Sequence, residues 1–173
     1  MFKKTIYVLW LLLLPLYVFP ISWEIETDFG ITIELRDETS HYNYLNKYLD
    51  SNYEFVEAVI KNENSIINFR FDPGTSKALF IDKKESTYRA RDIYWDLYFA
   101  MLQQDGDVNQ GILELLKSIN LGYKESAKIL LVMPDGFDFF RANIFKIQFG
   151  FGLYIEYYKK TKEIVVVDEY DRL

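Results

Sequence analysis

The sequence has no cysteine, and its one histidine is His41. Without cysteine the chain can form no disulfide, thiolate nucleophile or Cys-ligated zinc site, and it can carry no lipid on a cysteine. No N-x-[ST] glycosylation acceptor occurs either. An exported domain with these absences depends on its hydrophobic core for stability. Both absences are more typical of a bacterial envelope protein than of a eukaryotic secreted one.

Charge is missing from one long stretch, the apolar run from Thr5 to Trp23, which Lys3 and Lys4 precede. Basic residues before an apolar run are typical of a secretory signal, and the positive-inside rule then exports the chain that follows. About 19 residues of helix would span about 28 Å, close to the thickness of the bilayer core. Because no A-x-A pattern precedes the predicted boundary, cleavage stays open.

We therefore predict that residues 1–22 are a signal peptide or transmembrane anchor and that residues 23–173 are a single extracytoplasmic domain. The expected location is the cell envelope. The domain would be anchored in the inner membrane and face the periplasm or the extracellular side, or it would be secreted if the segment is cleaved.

The predicted domain is acidic. Lys3 and Lys4 are two of the 20 basic residues, and all 26 acidic residues follow the apolar run, so 18 basic and 26 acidic residues remain, a net charge of −8. This excess argues against nucleic acid and against binding to anionic lipid heads. The partners that we expect are another protein and, through the N-terminal segment, the membrane. No cofactor is expected.

Alternation of apolar and polar residues predicts several strands. Trp23 to Thr27 and Ile31 to Leu35 form a predicted hairpin. A second hairpin is predicted from 66–71 to 78–81, because Asp72-Pro73-Gly74-Thr75 between them is strong turn chemistry. Further strands are predicted at 128–133 and 163–168.

The longest alternation runs from Phe145 to Tyr157 and predicts one long strand with its odd positions buried. Gly150 and Gly152 on the other face would permit a bulge or bend. If that other face is exposed to solvent, Lys146→Ala and Gln148→Ala should each change the free energy of unfolding by no more than about 0.5 kcal/mol.

Helical spacing of apolar residues predicts three helices. The first follows Tyr42 to Ile60, and whether Asp50 to Asn52 divide it into two pieces stays open. The second, Tyr88 to Gln104, is apolar on more than one face and is predicted to be well buried. The third begins near Asp107, with Gln110 placed for a capping box. The fold class that we predict is α+β: an antiparallel-rich sheet packed by about three helices, preceded by an N-terminal signal or anchor helix.

Two motifs suggest chemistry only weakly. His41 lies near Asp37 and Ser40, but residues so close in sequence rarely form a catalytic triad. The loop that begins at Asp105 resembles the opening of an EF-hand calcium loop, yet Gln110 stands at the required glycine and Leu116 at the required glutamate. We therefore predict no metal site and assign no catalytic residue.

Tyr44 and Tyr48 are the binding residues that the sequence suggests. They are four residues apart on the first predicted helix and lie off the centre of its apolar stripe, so they could form an exposed aromatic patch. The function that we expect is a non-enzymatic protein-binding domain, such as an inhibitor, an immunity-type protein or an envelope accessory factor. Two alternatives stay open: an envelope hydrolase that uses paired carboxylates, and a domain with a pocket for a small ligand.

Overall fold

The computed structural model describes residues 22–75, 77–150 and 152–168. None of the helices in these ranges has the length and apolar character that a bilayer span requires. The predicted signal or anchor segment, apart from its last residue, lies outside the described residues, so its prediction stands as made.

Eleven strands and three short α-helices make up the described part of the chain. The strands are β1 (Ser22–Glu26), β2 (Ile31–Asp37), β3 (Glu54–Asn62), β4 (Phe69–Phe71), β5 (Ala78–Asp82), β6 (Thr87–Arg89), β7 (Ile119–Leu121), β8 (Glu125–Met133), β9 (Ala142–Phe149), β10 (Leu153–Tyr158) and β11 (Glu163–Asp168). The helices are α1 (Thr39–Tyr42), a 3-10 helix (Asn43–Tyr48), α2 (Tyr94–Asp105) and α3 (Gln110–Leu115).

Two antiparallel sheets face each other. The first has the order β1-β2-β3-β8 and the second has the order β11-β10-β9-β5-β6, while β4 and β7 form a separate pair. Apolar residues at alternate strand positions point between the two sheets and bury one continuous core. Among the fully buried side chains are Ile33, Leu35, Ile60, Phe80, Phe145 and Phe149.

A second core lies on the outer face of the first sheet, where β3 and β8 are covered by the helices. Phe55 from β3 and Val132 from β8 meet Leu45 of the 3-10 helix, Leu97 of α2 and Leu113 of α3 in this cluster. The described part of the chain thus has three layers: the second sheet, the first sheet and the helices.

The predicted α+β class is wrong, because the described part is mostly antiparallel β-structure. Strands hold 45% of it and helices 19%, and the three α-helices are short. The helix predicted from Tyr42 to Ile60 accounts for much of the error, since residues 54–62 are β3. Val56 and Ile60 suit either periodicity, but β3 is held as a strand by β2 on one side and β8 on the other.

The first predicted hairpin is confirmed: β1 pairs with β2, and the Thr27 amide donates to the carbonyl of Ile31 at 2.9 Å. The second is wrong. Its turn forms, with the Thr75 amide donating to the carbonyl of Asp72 at 3.1 Å. However, β4 before the turn pairs with β7, and β5 after it pairs with β6 and β9. Turn chemistry thus predicted the reversal but not the strand partners.

The predicted long strand from Phe145 to Tyr157 is instead a hairpin of β9 and β10, in which Phe149 faces Leu153 and Ile147 faces Ile155. The connection is three residues long, and Gly150 and Gly152 have positive φ of 66° and 75°. An odd number of connecting residues keeps the odd positions of both strands on one face, so the alternation passes through the turn unchanged. The predicted buried face is therefore correct although the single strand is not.

Candidate functional site

An apolar stripe faces solvent along α2. Trp95 is 61% exposed, Phe99 is 60% exposed and Leu102 is 45% exposed. These three residues, which we call the aromatic ridge, are spaced by four and three positions and so lie on one side of the helix. Large apolar side chains at this spacing normally mark the buried side of a helix.

The buried side of α2 is a different one. Leu97 is fully buried and Met101 is 2% exposed, and both pack into the helical core against the first sheet. Gly106, with a φ of 71°, ends the helix as a left-handed cap and donates its amide to the carbonyl of Leu102 at 3.1 Å. The helix is therefore fixed to the sheet by one side and presents the aromatic ridge from another.

Ring contacts order the aromatic ridge. Trp95 and Phe99 stack with centroids 5.9 Å apart and planes 28° from parallel. Tyr98, partly buried, makes edge contacts with both rings, at 5.7 Å to Trp95 and 5.3 Å to Phe99. Because the rings support one another, they would lose little conformational entropy when a partner covers them.

Trp95 and Phe99 supply most of the exposed apolar area of the aromatic ridge. An aromatic side chain presents about 150–250 Å², so the exposed parts of Trp95 and Phe99 together amount to about 200–300 Å². At about 25 cal/mol per Å², covering them would contribute about 5–7 kcal/mol before the costs of association. An apolar area of this size is within the range that monomers expose, so the case for a binding surface rests on its two stacked aromatic rings and not on its size.

The tyrosines predicted from the sequence lie beside the last turn of α2. The Tyr48 hydroxyl donates to Asp105, the last residue of α2, and the Lys47 ammonium lies 3.5 Å from the same carboxylate and 4.3 Å from the centroid of the Tyr48 ring. Tyr44 is 48% exposed, whereas Tyr48 is half-buried. The structure therefore places Tyr48 of the 3-10 helix against the last residue of α2, with Tyr44 on the same 3-10 helix close to Tyr48.

Two pKa values reflect this contact. The Tyr48 hydroxyl, followed by the nearby Lys47 ammonium, lowers the pKa of the Asp105 carboxyl below its ordinary value. Partial burial, followed by the proximity of Tyr48, raises the pKa of the Tyr44 hydroxyl. Asp105 is thus held ionised at the border between the 3-10 helix and α2.

The charged residues on α2 itself are both acidic. Asp96 lies in its first turn, Asp105 is its last residue and α2 carries no basic residue. Just before the helix, Asp92 accepts the Tyr94 amide at 3.2 Å. Asp92 also lines a depression of about 310 Å³ that Trp95 borders. Carboxylates thus lie at both ends of the aromatic ridge, and basic residues accompany them: Lys117 lines the same depression as Asp92, and Lys47 pairs with Asp105.

The other residues considered for chemistry have structural contacts. His41 is exposed and makes an edge contact with the ring of Tyr42 at 4.6 Å. In the EF-hand-like loop, Asp105 binds Tyr48, Asp107 accepts the Val108 amide at 2.7 Å and Asn109 accepts the Ile112 amide at 3.3 Å. Asn109, and not Asp107, therefore caps α3. Over the described ranges, no three His, Cys, Asp or Glu side chains converge as a metal site would require.

One cavity brings two carboxylates to its walls. Asp82 and Asp138 line a space of about 370 Å³ near the end of β5. Asp82 accepts the amides of Lys84 and Ser86 at 2.7 and 2.9 Å, and Asp138 lies 3.0 Å from the guanidinium of Arg141. Both carboxylates are thus engaged by a turn amide or an ion pair.

Comparison of the chain with protein-family models, curated proteins and solved structures finds no match. The site therefore rests on its own geometry.

The aromatic ridge was missed in the sequence. The region was predicted as a helix and then assigned to the interior because apolar residues occupy more than one of its sides. The excess of apolar residues could itself have revealed the ridge. Leu97 and Met101 already supply the buried side of the helix, so Trp95, Phe99 and Leu102 form a second apolar side. A short helix beside one sheet can bury only one of them.

Proposed function

We propose that this protein is an exported or membrane-anchored, non-enzymatic protein-binding domain of the inhibitor, immunity or envelope accessory type, and that the aromatic ridge is its contact surface. The observation that carries the proposal is the pair of stacked, mostly exposed rings of Trp95 and Phe99 on a helix that is already anchored by its other side. Aromatic residues surrounded by polar ones are typical of the centre of protein interfaces.

The spacing of the aromatic ridge favours a helical partner. Intervals of four and three residues are those of a coiled-coil seam, into which the side chains of a facing helix can pack. Asp96 on the same helix favours a basic side chain on the partner, whereas Asp105 is already paired with Lys47. Tyr44 and Tyr48 would extend the contact at the end of α2.

The two alternative functions find weaker support. For a hydrolase, Asp82 and Asp138 are the carboxylates that share a cavity, but each is held by a turn amide or an ion pair. For a small ligand, the cavity beside Trp23 measures about 510 Å³ but is open to solvent. A ligand pocket usually encloses most of its ligand.

Photocrosslinking in cells tests the proposal. A photoreactive amino acid replaces Phe99 in the full chain and, as a control, Tyr123, which is 53% exposed and belongs to neither α2 nor the 3-10 helix. We expect a discrete protein adduct from position 99 and none from position 123. A Trp95→Asp substitution should abolish the adduct.

Other results would contradict the proposal. Equal adducts from both positions would mean random collision, and lipid adducts from position 99 would mean that α2 faces a membrane. Because Trp95 is mostly exposed, Trp95→Asp should lower the free energy of unfolding by no more than about 1 kcal/mol, so a lost adduct would not reflect unfolding.

A further inference from the structure

The second sheet extends past the first on the side of β1 and β11. The ring of Trp23 on β1, the end strand of the first sheet, lies 5.9 Å from the ring of Tyr157, so the first sheet ends above β10. On β11, the next strand of the second sheet, Val166 points to the same side as its directly opposite neighbour Ile155. Ile155 is fully buried, whereas Val166 is 46% exposed. β11 therefore lacks the cover that the first sheet gives to β10.

A groove lies above β11, beside the end of the first sheet. The cavity of about 510 Å³ beside Trp23 is open to solvent and is lined by β1, including Glu24 and Glu26, and by Ile164 of β11. We call this space, between the outer edge of β1 and the inner face of β11, the edge groove. Ile164 and Val166 share that inner face, because residues two apart on a strand point to the same side. The edge groove thus has the position of one further strand in the first sheet.

The outer edge of β1 offers backbone hydrogen bonds to such a strand. Among the described strands, β1 pairs with β2 alone. The Thr27 amide donates to the carbonyl of Ile31, which directs Thr27 towards β2. The alternation of antiparallel pairing then directs the backbone groups of Ile25 towards β2 and those of Glu24 and Glu26 away from it. Extended peptides that add to a sheet edge gain their affinity from bonds to backbone groups of this kind.

Charges of both signs line the edge groove, but they lie in different places. Glu24 and Glu26 are exposed on β1, with their side chains on the outer face of the first sheet. Lys159 and Lys162 belong to the β10–β11 turn, and the Lys159 ammonium lies 4.7 Å from the centroid of the Trp23 ring, near the start of β1. Side chains of an added strand directly opposite Glu24 and Glu26 would form cross-strand pairs with them. Lysine or arginine is therefore favoured at those positions of the added strand.

The same glutamates disfavour a second copy of this chain in the edge groove. Antiparallel pairing over the full length of β1 would place Glu24 directly opposite Glu24 of the second copy. Like charges directly opposite each other destabilise a sheet, and charged side chains on edge strands commonly prevent self-association. A strand with the opposite charge at these positions meets no such repulsion, so the edge groove suits a different protein better than a second copy.

We propose that the edge groove binds an extended segment of a partner protein in which apolar residues alternate with lysine or arginine. The segment pairs with β1 as a further strand of the first sheet. Its apolar side chains cover Ile164 and Val166, and its basic side chains lie opposite Glu24 and Glu26. This second site is separate from the aromatic ridge, because β2 lies between β1 and the strands that α2 covers. The inference therefore does not depend on protein binding by the aromatic ridge.

Amide hydrogen exchange, measured by NMR on the full chain in zwitterionic nanodiscs, tests the proposal. The probe is a blocked peptide of alternating lysine and valine, one residue longer than β1 at each end, and the control peptide has glutamate in place of each lysine. With the lysine peptide at about ten times its Kd, exchange at Glu24 and Glu26 should slow about tenfold, because about a tenth of the edge then stays free. The glutamate peptide should protect neither amide.

An edge strand elsewhere in the fold supplies the control amides. Thr87 and Arg89 lie on β6, at the edge of the second sheet, and the Ala90 amide donates to the carbonyl of Ala78 on β5. The alternation of antiparallel pairing therefore directs the amides of Thr87 and Arg89 away from β5. Their exchange should be the same with and without the lysine peptide.

Two variants on opposite faces of β11 test the apolar contact. Val166→Asn should weaken binding of the lysine peptide about tenfold, because it places a polar amide under the apolar side chains of the added strand. Val167→Asn is the same change on the outer face of β11 and should leave binding unchanged. Because both variants exchange valine for asparagine in one strand, an effect on the strand itself would appear in both.

The charge contact is tested by a double variant. Glu24→Gln with Glu26→Gln should weaken binding of the lysine peptide about fivefold and reduce its dependence on salt, since two cross-strand ion pairs are lost. The control, Glu85→Gln with Asp135→Asn, makes the same change in net charge at exposed positions that do not line the edge groove. It should bind the lysine peptide as the unchanged chain does.

Each other outcome overturns the inference. No protection by the lysine peptide, equal protection by both peptides, or equal protection of β1 and β6 would exclude recognition by the edge groove. Slow exchange at Glu24 and Glu26 without any peptide would mean that the edge is already covered. Protection that rises with protein concentration would then assign the cover to a second copy, and constant protection would assign it to residues 1–21 or 169–173. None of these results would affect crosslinking at Phe99.

Discussion

The outer face of the second sheet holds a buried ion pair whose disruption should be costly. Glu156 on β10 is 3% exposed, and its carboxylate pairs with the ammonium of Lys146, which faces it from β9 with a side chain 18% exposed. The Tyr158 hydroxyl donates to the same carboxylate at 3.0 Å. The small effect expected for Lys146→Ala assumed that this face of the strand is exposed to solvent. At Lys146 and Glu156 the face is instead largely buried.

Lys146→Met tests this directly, because it keeps most of the side-chain volume and removes the charge. Removing one partner of a buried ion pair typically costs about 3–5 kcal/mol, against a total stability of about 5–15 kcal/mol. We therefore expect the free energy of unfolding, measured by urea denaturation, to fall by about 3 kcal/mol or more.

Two controls make the result specific. Gln148→Met changes the same face of the same strand but removes only a neutral hydrogen bond from Tyr154, 3.3 Å long, and should cost about 1 kcal/mol. Lys146→Met combined with Glu156→Gln should lose less than the sum of the single variants, by about 1–3 kcal/mol. If Lys146→Met costs no more than Gln148→Met, the argument from burial is refuted.

Three further predictions follow from particular contacts. Phe149→Ala should cost about 3–5 kcal/mol in urea denaturation, because Phe149 is 1% exposed and stacks on Phe69 at 5.8 Å; a loss below about 1 kcal/mol would contradict its place in the core. The lowered pKa of Asp105 contributes stability above the ordinary carboxyl range that is lost as the pH falls through the folded-state pKa. Tyr48→Phe should therefore reduce melting temperature at neutral pH but progressively less in acid, and a difference independent of pH would contradict this. A reporter fused after Leu173 should be active only if it functions outside the cytoplasm, and cytoplasmic activity would refute export.

Local patterns in the sequence predicted which face of a strand is buried better than they predicted which strands pair. The alternation from Phe145 to Tyr157 identified the buried residues of β9 and β10, because side-chain period is a property of each strand alone. It could not distinguish one strand from a hairpin with three connecting residues, since both preserve the alternation. In the same way, Asp72-Pro73-Gly74-Thr75 predicted a reversal, while pairing between distant strands decided where β4 and β5 lie.

The errors over helices have a related cause. Val56, Val59 and Ile60 fit a helical stripe, but β-branched residues between two available strand partners are better placed in a sheet. A helix was predicted from Tyr88 to Gln104, and the structure has it only from Tyr94 to Asp105, after β6 at Thr87–Arg89. The number of apolar sides of this helix that the fold can bury depends on the neighbouring elements. Exposure of Trp95 and Phe99 is therefore a property of the assembled fold.

The central claim, that a partner covers the aromatic ridge, is tested most directly by its accessibility in intact cells. Phe99→Cys and the control Tyr123→Cys can be labelled selectively, since the chain has no other cysteine. We predict that position 99 reacts as fast as position 123 in the purified chain, because both side chains are more than half exposed. In cells, position 99 should become at least tenfold less reactive, while the reactivity of position 123 stays unchanged. A tenfold change corresponds to about 1.4 kcal/mol of free energy by which the partner-bound state is favoured. Equal reactivity of the two positions in cells would show that the aromatic ridge stays uncovered and would contradict the account.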